Sequence, residues 1–250
     1  MLSKVKGRVA LIAGATDEVG EAIALRLAAA GAKIALCDKE EKKLAEVAAK
    51  ITAAGGEAAT FAVNPGDAQA IRGCVDKIVA RLGAIDILVN NPKEAEGKAL
   101  GELTTESFSA TVAAQLGAEF NFLLEVVPRM QQNSRGRVIN ISSLTYLGLP
   151  KNVDLGAAKS GLFGLTRSIA LEMARHNVTV NCVVKGDIPA AAVAEEVKTK
   201  IAGGIPVKRV GTPDDVSYAV SFFASDTSDY VTGQTFFVCG GKSNYFSMSV

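Results

Sequence analysis

The sequence contains no tryptophan and a single histidine, His176, among 250 residues. One imidazole cannot build a histidine-clustered metal site, and neither a metal site nor Ser-His catalysis is expected. Cysteine is sparse: Cys37, Cys74, Cys182 and Cys239 have neither metal-ligand nor Cys-x-x-Cys spacing, and a reducing compartment is the simpler setting. An excess of charge is also missing. Lysine and arginine number 27 against 26 acidic residues, a formal net charge of +1, which gives no electrostatic case for nucleic acid or an anionic membrane as partner. Long apolar runs are lacking too. Val9–Ala13, Ile34–Cys37, Ile87–Val89 and Val178–Val184 are short and bounded by Gly, Asp or Asn, whereas a membrane helix needs about 20 apolar residues. No basic-then-apolar leader opens the chain, so a cytoplasmic location is expected.

What is present is alternation. Short β-branched runs near 8–13, 33–37, 58–63, 86–90, 136–142, 178–184 and 235–239 read as strands. Longer segments near 18–30, 40–54, 67–81, 104–131, 154–175, 190–202 and 213–224 read as helices. No linker, repeat or low-complexity tract divides residues 1–250. The expected fold class is α/β: one Rossmann-type, doubly wound domain, a seven-stranded parallel sheet flanked by helices on both faces. Its ligand crevice should lie at the carboxyl ends of the strands.

Two stretches carry the chemistry. The first, Ala13-Gly14-Ala15-Thr16-Asp17-Glu18-Val19-Gly20, joins the first strand to the first helix. The second, GRVINISSLTYLGLPKNVDLGAAKSGLFG over Gly136–Gly164, is a strand ending in Ser-Ser, a loop and a helix. Together with Leu88-Val89-Asn90-Asn91, Arg209-Val210-Gly211-Thr212-Pro213, Thr232-Gly233-Gln234 and Gly240-Gly241, they resemble the short-chain dehydrogenase/reductase family along the whole chain. That family's Tyr-x-x-x-Lys pair supplies the general acid/base for hydride chemistry. Here the tyrosine position is Leu155, four residues before Lys159, and leucine has no proton to give. Leu155 also continues an apolar stripe through Ala158, Leu162, Leu165 and Ile169, so packing alone accounts for it.

The resemblance implies the remaining site residues. The catalytic asparagine position falls on Gln115, the serine on Ser143 or its neighbour Ser142, and the lysine on Lys159. Tyr146, three residues after Ser143, is the one nearby tyrosine that could substitute as acid. At the cofactor end, Gly14 and Gly20 match the Thr-Gly-x-x-x-Gly-x-Gly pattern, but Ala13 replaces threonine and Glu18 the middle glycine. A carboxylate about 4 Å from a phosphate oxygen costs about 1–4 kcal/mol, depending on the local dielectric, which is about 5-fold to 1,000-fold in affinity. Asp17 and Glu18 equally suit the first turn of a helix, where the protein could supply its own anion. Asp38 stands where NAD-preferring members hold the ribose, Asn64 where they contact adenine, and Asn90 opens an Asn-Asn motif whose Ala-Gly is Pro92-Lys93 here. Lys185 replaces the proline of a Pro-Gly turn beside the nicotinamide.

The changes collect at the ligand crevice while the scaffold motifs persist. The expected function is therefore a non-catalytic subunit that binds no cofactor itself and assembles with a homologous active subunit carrying NAD. The resemblance extends to the inactive subunit of heterotetrameric members, with a hydroxyacyl-CoA-type secondary alcohol as the complex's substrate. Helices 104–131 and 154–175 and the C-terminal region 213–250, with the tail Lys242–Val250, are the expected contact surfaces. The alternatives are an NAD(H)-binding regulatory module using Asp38 and Asn64, and an active oxidoreductase using Tyr146.

Overall fold

The computed structural model describes residues 5–247. The strands are β1 (Val9–Ala13), β2 (Lys33–Asp38), β3 (Glu57–Ala62), β4 (Ile85–Asn90), β5 (Gly136–Ser143), β6 (Val178–Lys185) and β7 (Thr235–Val238). The helices are α1 (Glu18–Ala29), α2 (Glu41–Ala53), α3 (Ala68–Leu82), α4 (Thr105–Val112), α5 (Ala118–Gln132), α6 (Val153–Met173), α7 (Glu195–Gly203), α8 (Pro213–Ala224) and α9 (Lys242–Ser247).

All seven strands pair in parallel in the order β3-β2-β1-β4-β5-β6-β7. Every residue of β1 and β5 is buried, as expected for strands covered on both faces; β1 accordingly reads as an unbroken apolar run, whereas β5 also buries Arg137, Asn140, Ser142 and Ser143. On one face α1, α2 and α8 contribute Ile23, Leu27, Leu44, Ile51, Val220 and Phe223. On the other, α3, α5 and α6 contribute Ile71, Ile78, Phe122, Val126 and Met173. The chain winds outward from β1 to β3, then returns to the other side of β1 to lay down β4. The carboxyl ends of β1 and β4 therefore form the switch point where an open α/β sheet leaves a crevice.

Three elements depart from the sequence expectation. The helix expected over 104–131 is interrupted: α4 ends at Val112, a π-helical turn occupies Ala113–Gly117, and α5 continues from Ala118. The turn surrounds Gln115, whose side chain is pulled inward by a bond to the Lys93 carbonyl, and widened turns of this kind cluster at functional sites. The 28 residues Thr105–Gln132 are apolar enough to cross a membrane by length and composition, yet Phe122, Leu123, Val126 and Met130 are spent on the sheet. The helix expected over 190–202 begins only at Glu195, because the Ala-rich lead offers no capping side chain while Glu195 and Glu196 complement the helix dipole. The tail forms α9, and its residues 248–250 lie outside the described residues.

Candidate active site

Gly14 leaves β1 with φ of +82°, a conformation that side chains resist. A Cβ built there would lie 1.8 Å from the Asn91 carbonyl oxygen, and one built on Gly20 would lie 2.2 Å from the Gly14 oxygen. The two glycines let β1, α1 and the end of β4 close on each other. Asn91 completes the closure: its Nδ2 donates to the Gly14 carbonyl (2.9 Å) and to Asp17 Oδ1 (2.8 Å), and its backbone N–H donates to Ala13 (2.8 Å).

The same Asp17 oxygen accepts the Gly20 N–H at 2.7 Å. Asp17 is thus the N-cap of α1, and its carboxylate sits at the positive helix end where a dinucleotide phosphate would otherwise be held. Glu18 turns away from that end, and its Oε1 accepts the backbone N–H of Ala191 at 2.9 Å. Asp17→Ala should cost about 1–2 kcal/mol of stability through loss of the cap, read as a lower urea midpoint. An unchanged midpoint would mean that the contact carries no energy.

The residues expected at the adenosine end are also engaged. Asp38 accepts the Thr16 hydroxyl (2.6 Å) and its neighbour's Lys39 N–H (2.7 Å). The Asn64 side-chain oxygen accepts the Gly66 N–H (3.1 Å). These residues, with Gly14, Asn90, Lys93 and Gln115, line a cleft of about 260 Å³. Its wall includes Cys37, whose thiol lies 3.6 Å from that of Cys74, a juxtaposition that sequence spacing does not reveal.

At the catalytic end, Ser143 and Ser142 part company. Ser143 closes β5 and faces a second cleft of about 250 Å³, while the Ser142 hydroxyl points beneath α6 toward the Lys159 carbonyl (3.5 Å). Ser143 is already occupied: its hydroxyl donates to Glu94, and the other Glu94 oxygen lies 3.7 Å from the Lys185 ammonium. Lys93 lines the first cleft and Glu94 the second, so the segment Pro92–Glu94 lies between them, and each cleft falls below the range of about 300–1,000 Å³ usual for ligand pockets. Leu155 is buried (2 % exposed) one turn before Lys159. Gln115 donates to the Lys93 carbonyl at 2.8 Å, which holds down the segment that carries Glu94. Asn90 donates to Asn140, which donates to Thr166, a buried chain that ties β4 and β5 to α6. Tyr146 lines neither cleft. Its ring packs edge-on against Phe163 (4.7 Å) and beside Phe237 (5.9 Å), and burial pushes its hydroxyl pKa up, away from the range of a useful proton donor.

A family model described as enoyl-(acyl carrier protein) reductase matches residues 14–243. The chain belongs to the short-chain dehydrogenase/reductase family. It is 48 % identical, over the full length of both chains, to the (2S)-[(R)-hydroxy(phenyl)methyl]succinyl-CoA dehydrogenase subunit BbsC of Thauera aromatica. The subunit BbsD of the same enzyme is 33 % identical over 242 residues, covering 96 % of this chain and 98 % of BbsD. Among solved structures, a putative short-chain alcohol dehydrogenase from Sinorhizobium meliloti superposes with a TM-score of 0.90 at 32 % identity, covering 96 % of this chain and 97 % of that one.

Within this short-chain dehydrogenase/reductase framework, three buried or part-buried acids escaped the motif reading. Glu94 is one. Glu119, one turn beyond Gln115 on α5, is 2 % exposed, and neither of its oxygens has a hydrogen-bond partner among the described residues. Burial pushes its pKa up to about 8, against the pull of the Lys159 ammonium. Burial likewise pushes the Lys159 pKa down, against the pull of Glu119 and Glu94. Asp154, fully buried, accepts the Thr111 hydroxyl (2.7 Å) and the backbone N–H groups of Leu155 (2.9 Å) and Lys98 (3.3 Å). Burial works against its charge, but these donors prevail and hold its pKa down. It anchors the far end of the segment that carries Glu94. The spacing from Gln115 to Glu119, four residues on one helix face, was the signal available for one of the three.

Proposed function

We infer that this chain is a non-catalytic subunit of a hetero-oligomeric short-chain dehydrogenase, assembled with a homologous subunit that carries NAD and the proton-donating tyrosine. The observation that carries this reading is the Glu94 carboxylate seated on Ser143 and Lys185, in a chain with a buried leucine at the tyrosine position. Hydride transfer from an alcohol needs a base for the hydroxyl proton, and positioned acid–base catalysis contributes about 10²–10⁴-fold. Leu155 cannot provide it. The residues at the nucleotide end do not fit a dinucleotide either, because Asp17 places a carboxylate where the pyrophosphate charge belongs.

Similarity supports a place in an assembly. BbsC and BbsD are by name two subunits of one dehydrogenase, and this chain has more identity with BbsC than with BbsD. The complex's substrate is then a secondary alcohol of the hydroxyacyl-CoA class. The surfaces expected to meet partners are apolar: Phe120 and Leu124 on α5, Leu171 on α6, and Tyr218, Phe222 and Phe236 on α8 and β7 are all at least 45 % exposed. Apolar patches of this kind mark association surfaces. Four cysteines, all free thiols, suit assembly in the cytoplasm.

Purified alone, the chain should oxidise no secondary alcohol with NAD and give no heat on NAD titration to about millimolar concentration, near −4 kcal/mol of binding. Co-expressed with a homologous short-chain dehydrogenase subunit that keeps the tyrosine, it should co-purify at fixed stoichiometry with an active complex. Turnover by the chain alone, or a homo-oligomer that ignores that dehydrogenase, would overturn the reading.

A further inference from the structure

The contact that closes the crevice has the chemistry of a bound ligand. Glu94 belongs to a stretch, residues 91–99, without regular secondary structure. Its carboxylate receives the Ser143 hydroxyl and faces the Lys185 ammonium. The Thr145 hydroxyl lies 3.1 Å from Ser143 Oγ and lines the same cleft. At the rim, Lys242 is paired with Asp187 at 2.6 Å. Apart from Glu94, no carboxylate among the described residues forms an ion pair with Lys185. With Glu94 withdrawn, the cleft would hold two hydroxyls and an uncompensated ammonium, and the balanced Lys242–Asp187 pair would leave that charge unanswered. Leu144, Leu149 and Ile188 supply an apolar wall. Hydroxyls plus one ammonium on an apolar wall suit a carboxylate at the end of a short carbon chain.

The geometry points to a carboxylate-binding site formed by Ser143, Thr145 and Lys185, for which Glu94 is a displaceable internal ligand and a short-chain carboxylate the external one. The segment is built for such an exchange. Its far end is fixed where Lys98 bonds Asp154 and Val153, and Gly97 packs so tightly on Asn152 that a Cβ would come 2.3 Å from its side-chain oxygen. Between that anchor and the Lys93 carbonyl held by Gln115, Glu94 can leave without unravelling the rest. A group tethered this way competes at an effective concentration of about millimolar. If the site is open in about a tenth of molecules, external affinity falls about tenfold. The inference rests on the reading that this crevice takes no dinucleotide, but it does not require a partner subunit.

Succinate is the probe, titrated calorimetrically into the full-length chain. Glu94→Ala should bind it at least about tenfold more tightly than the unsubstituted chain, and Glu94→Ala with Lys185→Met should lose that gain. Inorganic phosphate should bind Glu94→Ala more weakly than succinate does. Equal succinate affinity with and without Glu94, a gain that survives Lys185→Met, or tighter phosphate binding would each overturn the inference. Should Glu94→Ala fail to fold, the unsubstituted chain decides. Succinate at roughly ten times the tether's effective concentration, on the order of 10 mM, should protect Lys185 from acetylation, read by peptide mass. No protection would overturn the inference. An NAD titration on the same samples separates the two readings: NAD binding sinks the subunit proposal, whereas absent succinate binding sinks only this one.

Discussion

Gly14→Ala should destabilise the chain by more than about 4 kcal/mol, enough to leave most of it insoluble, since domains of this kind hold only about 5–15 kcal/mol in all. Two causes add. The backbone at Gly14 has φ of +82°, and the new methyl would sit 1.8 Å from the Asn91 carbonyl oxygen, a position that neither β1 nor β4 can vacate without breaking their ladder. Gly55 is the internal control. Its φ is also +82°, but nothing lies within 4 Å of the added carbon. Gly55→Ala should therefore cost only the left-handed backbone term, about 1–2 kcal/mol. Urea denaturation of both variants measures the difference. If Gly14→Ala were no worse than Gly55→Ala, the glycine would have no steric role, and its presence would argue for a bound nucleotide after all. The expected result explains how such a glycine can persist for a steric reason alone.

The second large effect concerns Glu119 and Lys159. In the unfolded chain a glutamate titrates near 4.3, whereas folded Glu119 holds its proton up to about 8. Between these values the folded state binds the extra proton, so the contribution is full below about pH 4.3 and is lost as pH rises from there to about 8. The slope from Lys159 has the opposite sign. Its folded pKa is depressed, so above that value the unfolded chain is the more protonated one, and stability partly recovers toward the pKa of a free lysine. The urea midpoint should therefore fall between pH 5 and 8, and Glu119→Gln should flatten that fall. Lys159→Met removes the pull that lowers the Glu119 pKa, so it should cost about 1 kcal/mol more at pH 9, one unit above the folded Glu119 value, than at pH 6, where Glu119 already holds its proton. Combining it with Glu119→Leu should restore stability to near that of the unsubstituted chain. A pH-independent cost for Lys159→Met would show that the two side chains do not share a charge problem.

The sheet was legible because most of its strands are short runs rich in apolar residues and bounded by turn residues, a local signal that survives whatever sits in the crevice. Leu155 and Lys159 were legible as a pair because four residues on a helix define one face. The rest depends on strand order. Glu94 and Ser143 are 49 positions apart and meet only because β4 and β5 are neighbours, so their carboxyl ends rise side by side. Glu119 looks like any charge on a surface helix until the π-helical turn before it rotates the chain inward. No hydropathy pattern marks that turn, which is stabilised by a side-chain bond to a residue 22 positions away. The expectation for Glu18 had the right charge but the wrong target: the acid at the helix end is Asp17, and Glu18 holds Ala191.

That last bond joins two regions usually considered separately. Ala191 is held from both sides, its N–H by Glu18 and its carbonyl by Lys198 at 3.2 Å, so the front of α1 and the approach to α7 are one mechanical unit. For chimeras with a catalytic relative, residues 14–20 and 187–198 form a single exchange block. A graft that imports one without the other inherits a latch with no catch.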